Sequence, residues 1–467
     1  MGLHPDRLLP IEHEARAIAR RLYSGVEAMP IISPHGHTDP RWFAEDQAFP
    51  DPATLLVKPD HYVFRMLYSQ GVRLEALGIS RRDGAAVETD GRKVWRIFAR
   101  HWPLFRGTPT RLWFEHSMER VFGVDERLDN ENADRIYDVI AEKLSEPEFR
   151  PRALFRRFNI EAIATTDSPL DDLAAHDAIR DSGWKGRVLP TYRPDFVVDP
   201  DRAGFHQNVE KLVAIAGLGA TTYANYLDAH RGRRLYFKTR GATATDHGHP
   251  TCRTANLAQA EAAALFDRVM KADATAEDKE LFRAHMLTEM ARMSLDDGLV
   301  MQIHPGSFRN HSPSLFLDFG PDMGADIPTS TDYVRALKPL LDAHGGDARL
   351  TVILFTLDET AYGRELAPLA GHYPALRLGP PWWFFDSPEG MRRFRELTTE
   401  TAGFYNTVGF NDDTRAYLSI PARHDMARRC DCAYLARLVA DHRLDEDEAH
   451  ELAHDLAYRL AKRAYRL

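Results

Sequence analysis

The sequence predicts an α/β fold, a closed (β/α)8 barrel, from two observations and one interruption. Eight short apolar runs occur along the chain, and each ends in polar or ionisable residues. Helical patterns lie between most of them, which is the order of parallel βαβ units. The interruption is the interval from about Arg41 to about Glu161, which breaks the alternation and itself looks helical. Eight such units close into a barrel whose site lies at the carboxyl ends of the strands.

The runs follow in order. Ile31-Ile32-Ser33 leads into Pro34-His35-Gly36-His37, and Glu161 to Thr166 ends at Asp167. Arg187 to Thr191 ends at Tyr192-Arg193-Pro194-Asp195, and Gly241 to Thr245 ends at Asp246-His247. Leu299 to Ile303 ends at His304, and Leu350 to Phe355 ends near Asp358. Leu376 to Gly379 ends at Pro380-Pro381-Trp382-Trp383, and Thr407 to Phe410 ends at Asn411-Asp412-Asp413. Ala255 to Met270 and Tyr333 to Leu341 read as connecting helices. Asp445 to Leu467 reads as a closing amphipathic helix, with Leu452, Leu456 and Leu460 on one face. Its acidic first turns and basic last turns suit the helix dipole. The chain thus reads as one barrel domain over 1–467, with 41–160 a helical insertion packed over the barrel mouth.

Composition narrows the function. The 467 residues are 44% hydrophobic and 28% charged, an ordinary globular balance. The net charge of -9 gives no global electrostatic reason to bind nucleic acid or an anionic membrane, and no apolar run approaches a membrane span. Three cysteines cannot form a disulfide framework, and the first residues lack a signal-peptide core, so a cytoplasmic protein is expected.

Residues i and i+2 of a strand point to one side, so His35 and His37 can reach one metal ion, and imidazole suits zinc and similar divalent ions. A second pair, His247-Gly248-His249, occurs among 21 histidines, so the spacing alone is a weak signal; His247 could face the site, and His249 beside Pro250 reads as loop. His304 ends a strand and is either a site residue or a loop cap. Asp413 in Asp412-Asp413-Thr414-Arg415 is either a metal-binding or basic carboxylate or an Asx-turn or helix-capping residue. Arg193, Arg309 and Arg415 can fork onto a carboxylate or serve in ion pairs. His450-Glu451-Leu452-Ala453-His454 matches a zinc-protease pattern, but only 13 residues follow it and its helix has a core face. Lys238 and Cys430-Asp431-Cys432 read as helical, not as metal sites.

Seven segments together resemble a known family. They are Ser33 to His37, Asp60 to Arg65, Tyr192 to Asp195, Asp246 to Gly248, His304 to Arg309, Gly379 to Phe384, and Asp413 to Arg415. On these the chain resembles the uronate isomerases (glucuronate isomerases) of the amidohydrolase superfamily along nearly its whole length. The resemblance implies a distorted (β/α)8 barrel with the insertion after the first strand. It implies one divalent metal ion, usually zinc, held by His35, His37 and Asp413. The implied reaction interconverts D-glucuronate and D-fructuronate, and D-galacturonate and D-tagaturonate, through a cis-enediol. Asp413 would be the base and Tyr62 the proton shuttle. Arg193, Arg309 and Arg415 would bind the hexuronate, with His61, His304, Trp382 and Trp383 shaping the pocket. Relatives generally assemble, so a homo-oligomer is expected. Two other readings stay open: a metal-dependent hydrolase of the same superfamily acting on an amide, ester or lactone, and a non-catalytic sugar-acid binder.

Overall fold

A computed structural model describes residues 2–467. Its strands are β1 (Ile31–Ser33), β2 (Ile160–Ala164), β3 (Arg187–Leu189), β4 (Ala244–His247), β5 (Val300–Ile303), β6 (Ser307–Phe308), β7 (Ile327–Pro328), β8 (Val352–Leu354) and β9 (Leu376–Leu378). β1, β2 and β3 pair in parallel, and so do β4, β5, β8 and β9. Tyr192 bridges to Thr245 and joins the two sheets. Thr407 bridges in parallel to Leu378, adding the eighth run after β9. The His37 N–H donates to the Thr414 carbonyl (3.0 Å), which brings that run back beside β1. β6 and β7 are a small antiparallel ribbon outside this ring.

The barrel strands are apolar because both faces are covered, as parallel sheets require. Met301, Ile303, Val352, Leu354, Leu376 and Leu378 lie in one core with the surrounding helices. The eighth run is cut to a single bridge. At Gly409 the backbone turns left-handed (φ 76°), and an added Cβ would stand 2.7 Å from the Leu456 carbonyl. The Leu456 backbone therefore comes so close to this run that only a glycine fits there.

Between β1 and β2 the chain is helical, from Pro40–Glu45 through Gly91–His101 to Pro151–Arg157. The starts are written locally. Asp39 and Asp51 each accept from the first-turn N–H groups, and each precedes a proline, which needs no N–H partner there. Trp95, Phe98, Trp102, Phe105 and Phe114 pack in the same core as Ile31, Ile160, Ile163 and Val188. The helices after β1 are thus fixed to the first three strands by a continuous apolar contact.

Three expected helices differ from the observed ones. The helix expected from Ala255 begins at Gln259, because the Ala255 N–H is taken by the Ala284 carbonyl. The one expected from Tyr333 begins at Lys338, because the Tyr333 N–H donates to Glu365 Oε2 (2.7 Å). The last runs Glu446–His454 and Leu460–Ala464, with a wider π-type turn over Asp455–Arg459 between them, where the buried Asp455 accepts from the Tyr405 hydroxyl (3.0 Å). Among the described residues, no helix is long and apolar enough to cross a membrane.

Candidate active site

The strand ends meet at a cavity of about 960 Å³. At its foot, Asp413 Oδ1 lies 3.4 Å from His35 Nε2 and 3.2 Å from His37 Nε2. The opening and closing runs of the barrel therefore meet at one carboxylate. Asp413 itself sits at φ 39°, a left-handed conformation that aspartate and asparagine tolerate better than most residues. Burial pushes its carboxyl up, but His35 and His37 hold it well below the usual carboxylate range.

His304 joins this group from the end of β5. His35, His304 and Asp413 each present a ligand atom within 4.8 Å of the others, the one such group of three found among the described residues. Asp246 at the end of β4 fixes the ring, accepting from His304 Nδ1 (2.6 Å). An ionised carboxylate only accepts, so Nδ1 carries the proton and Nε2 keeps its lone pair. Nε2 is buried and has no hydrogen-bond partner. Burial lowers the His304 pKa, which keeps the ring neutral. Burial pushes Asp246 up, but His304 and Arg193 hold it well below its usual value. His304 stacks on Phe355 (centroids 3.9 Å apart). Gly379 permits this: a Cβ there would lie 2.3 Å from the Phe355 ring. The donor set, two imidazoles and a carboxylate with His37 beside them, fits a divalent ion. The Asp246–His304 bond is the outer support such ligands commonly have.

The cavity walls carry the arginines. Arg193 is held by Asp195 (2.8 Å) and Asp246 (3.2 Å), Arg309 by Asp326 (2.9 Å), and Arg415 by Asp322 (2.8 Å). Of these four ion pairs, that of Arg415 is the most open, with 34% and 40% of its two side chains exposed. His61 and Tyr62 come from the insertion, in the first turn of the helix His61–Tyr68, where Asp60 caps the Tyr62 N–H (2.9 Å). Burial and the nearby Arg415 push His61 down to about 3, so it is a neutral hydrogen-bonding group. Trp383 packs against His61 (4.2 Å) and Tyr62 (4.8 Å), and Trp382 against His304 (4.7 Å).

The other motifs lie elsewhere. His247 Nε2 meets Thr245 Oγ1 (3.0 Å) and is not in the His35 group. Lys238 ends the helix Tyr223–Lys238, and Cys430 and Cys432 lie inside Ile420–Ala440. His450 and His454 flank Leu452 and Ala453, which face the core with Ile18 and Leu22. Nothing in the local sequence around Asp322, Asp326, Asp386 or Arg423 marks them as site residues. Asp246 carries a signal, its place at a strand end.

Comparison with known proteins agrees over the whole chain. The glucuronate isomerase family profile matches residues 13–465. A uronate isomerase of Brucella canis is 69% identical, with all of both chains covered. The crystal structure of glucuronate isomerase from Caulobacter crescentus superposes with a TM-score of 0.98 at 59% identity, covering 100% of this chain and 97% of that one. The uronate isomerase structure from Thermotoga maritima gives 0.92 at 28% identity, with all of both chains covered. On these matches the chain belongs to the glucuronate isomerase family.

Proposed function

We propose that this chain interconverts D-glucuronate and D-fructuronate, and D-galacturonate and D-tagaturonate, by moving a proton between C2 and C1 of the open-chain sugar. The observation that carries the reading is the meeting of Asp413 with two strand-end histidines under a cavity walled by Arg193, Arg309 and Arg415. His35, His37, His304 and Asp413 are the residues that would hold a divalent ion, with zinc the best match to imidazole and carboxylate donors. Such an ion supplies Lewis acidity toward a substrate oxygen.

The chain's own groups do the rest. Asp413, ionised and buried, takes the proton from C2 and returns one to C1. Tyr62 passes a proton between the neighbouring O1 and O2. The arginines receive the C6 carboxylate and fix the sugar's direction, which lowers the entropic part of the barrel-mouth reaction. Trp382, Trp383 and His61 wall off water on the insertion side.

The reading is tested by incubating metal-loaded protein with D-glucuronate in D2O. The expected result is a ketose together with deuterium at the exchanging carbons. Release of a hydrolysis product from an amide, ester or lactone, with uronates inert, would favour the hydrolase reading. Binding with no exchange would favour a sugar-acid binder.

Arg415 gives a sharper expectation. It can leave the exposed Asp322 for a substrate carboxylate, and its planar fork has no lysine equivalent. Arg415→Lys should raise KM for glucuronate about tenfold and leave kcat within about threefold, a loss of roughly one charge-assisted contact. Steady-state kinetics decide this, and an unchanged KM would make Arg415 structural.

A further inference from the structure

The Tyr62 hydroxyl is held by a buried aspartate. It donates to Asp386 Oδ1 (2.6 Å) and accepts the Phe384 N–H (2.9 Å). One lone pair of that oxygen is then left uncommitted, and Tyr62 lines the cavity whereas Asp386 does not. Asp386 is 6% exposed, and its second oxygen takes Arg423 Nη1 (2.6 Å). Arg423 is 2% exposed, and its Cζ stands over Trp113, 3.6 Å from the ring centre. Its guanidinium also donates to Ser419 Oγ (3.1 Å) and to the Asp412 carbonyl (3.3 Å), next to Asp413. A buried aspartate paired with a buried arginine is costly to keep unless the geometry is used or specified. Phe384, which holds Tyr62 from the other side, has a left-handed backbone (φ 71°), a strained position for an aromatic residue.

We infer that Asp386, held by Arg423, is the positioning residue that makes Tyr62 a two-way proton shuttle. The inference rests on Tyr62 serving as shuttle. With its own proton committed to Asp386, Tyr62 meets the substrate as an acceptor. A substrate hydroxyl gives its proton to the Tyr62 oxygen as the Tyr62 proton moves to Asp386 Oδ1. The reverse transfer delivers a proton to the neighbouring substrate oxygen. No proton is gained or lost over the cycle, and Asp386 ends ionised beside Arg423 as it began. Arg423 has a second effect: one guanidinium fixes both the shuttle, through Asp386, and the turn that carries the base, through the Asp412 carbonyl.

The test compares Tyr62→Phe, Asp386→Asn and their double variant, each loaded with metal and given D-glucuronate in D2O. Two rates are read: ketose formation, and deuterium entering C2 of the remaining glucuronate. If Asp386 serves the shuttle, Asp386→Asn lowers kcat by about 100-fold, the usual scale of a lost proton-transfer group, with KM within about threefold. The enediol then persists and returns to glucuronate more often, so exchange relative to ketose rises about tenfold, by the same loss of proton transfer. The double variant should be no slower than Tyr62→Phe, because the two act as one unit. Asp386→Asn leaves the Arg423 charge unpaired, so Asp386→Glu, which keeps the charge and moves the oxygen, is read beside it and should also raise the ratio. If Asp386→Asn and Asp386→Glu keep wild-type kcat while Tyr62→Phe is impaired, the inference fails and the shuttle stands. If exchange and ketose fall equally, Asp386 is merely structural and the inference fails too. If Tyr62→Phe behaves as wild type, the shuttle reading itself fails.

Discussion

Asp413→Asn is expected to lower kcat by about 10³-fold while secondary structure and thermal midpoint stay close to those of the parent protein. The substitution is chosen for its geometry. Asp413 sits at φ 39°, and asparagine tolerates that region, whereas alanine would add backbone strain. The amide oxygen can still face His35 and His37, at the 3.4 and 3.2 Å where the carboxylate stands. What is lost is the ability to take a proton from carbon. Asparagine also weakens any metal held there, so kcat must be measured at saturating metal, with bound metal quantified. A variant that turns over within about tenfold of wild type at full occupancy would remove Asp413 as the base, since a base contributes more than that.

The site was partly legible because strand ends are. His35 and His37 share a face through the period of two, and each apolar run pointed to a polar terminus. Asp413 could not be separated from a turn-capping aspartate by its neighbours in sequence, because the distinction lies in which residues stand across the barrel. Asp386 and Arg423 are 37 residues apart, one after an aromatic loop and one inside a helix whose buried face also holds His424, Arg428, Arg429 and Asp431. A buried ion pair has no local pattern: each half looks like a surface charge until the other arrives. The insertion was legible for the opposite reason, since its helix starts are local events, with Asp39-Pro40 and Asp51-Pro52 carrying cap and first turn together. The eighth strand was legible as a run but not in its surroundings, because the Leu456 carbonyl that stands against Gly409 comes from the far end of the chain.

Acid should destabilise the fold sharply well above the carboxylate range. His176, His230 and His247 are buried, and burial pushes them down to about 4, 3 and 3. Each faces a hydroxyl and not a carboxylate: Thr165 (2.9 Å), Tyr192 (2.6 Å) and Thr245 (3.0 Å). Unfolded histidine titrates near 6.5. Below that pH the unfolded chain binds these protons and the folded one does not, so stability falls as pH falls. It is fully present above about 6.5 and is lost down to the folded values. Asp167 opposes this, because burial raises it to about 7 and the folded state holds a proton that an unfolded aspartate releases above about 4. His61 and His116, which burial pushes down to about 3 and 4, act in the same sense, so the balance is a loss of stability as pH falls from about 6.5 toward 4.5. Urea unfolding at pH 7, 6 and 5 measures it, and a free energy flat across that range would show that the three rings are not neutral in the fold. His176→Gln, which keeps a polar group beside Thr165 but does not titrate, should lower the slope by about 1.4 kcal/mol per pH unit, the share of one histidine.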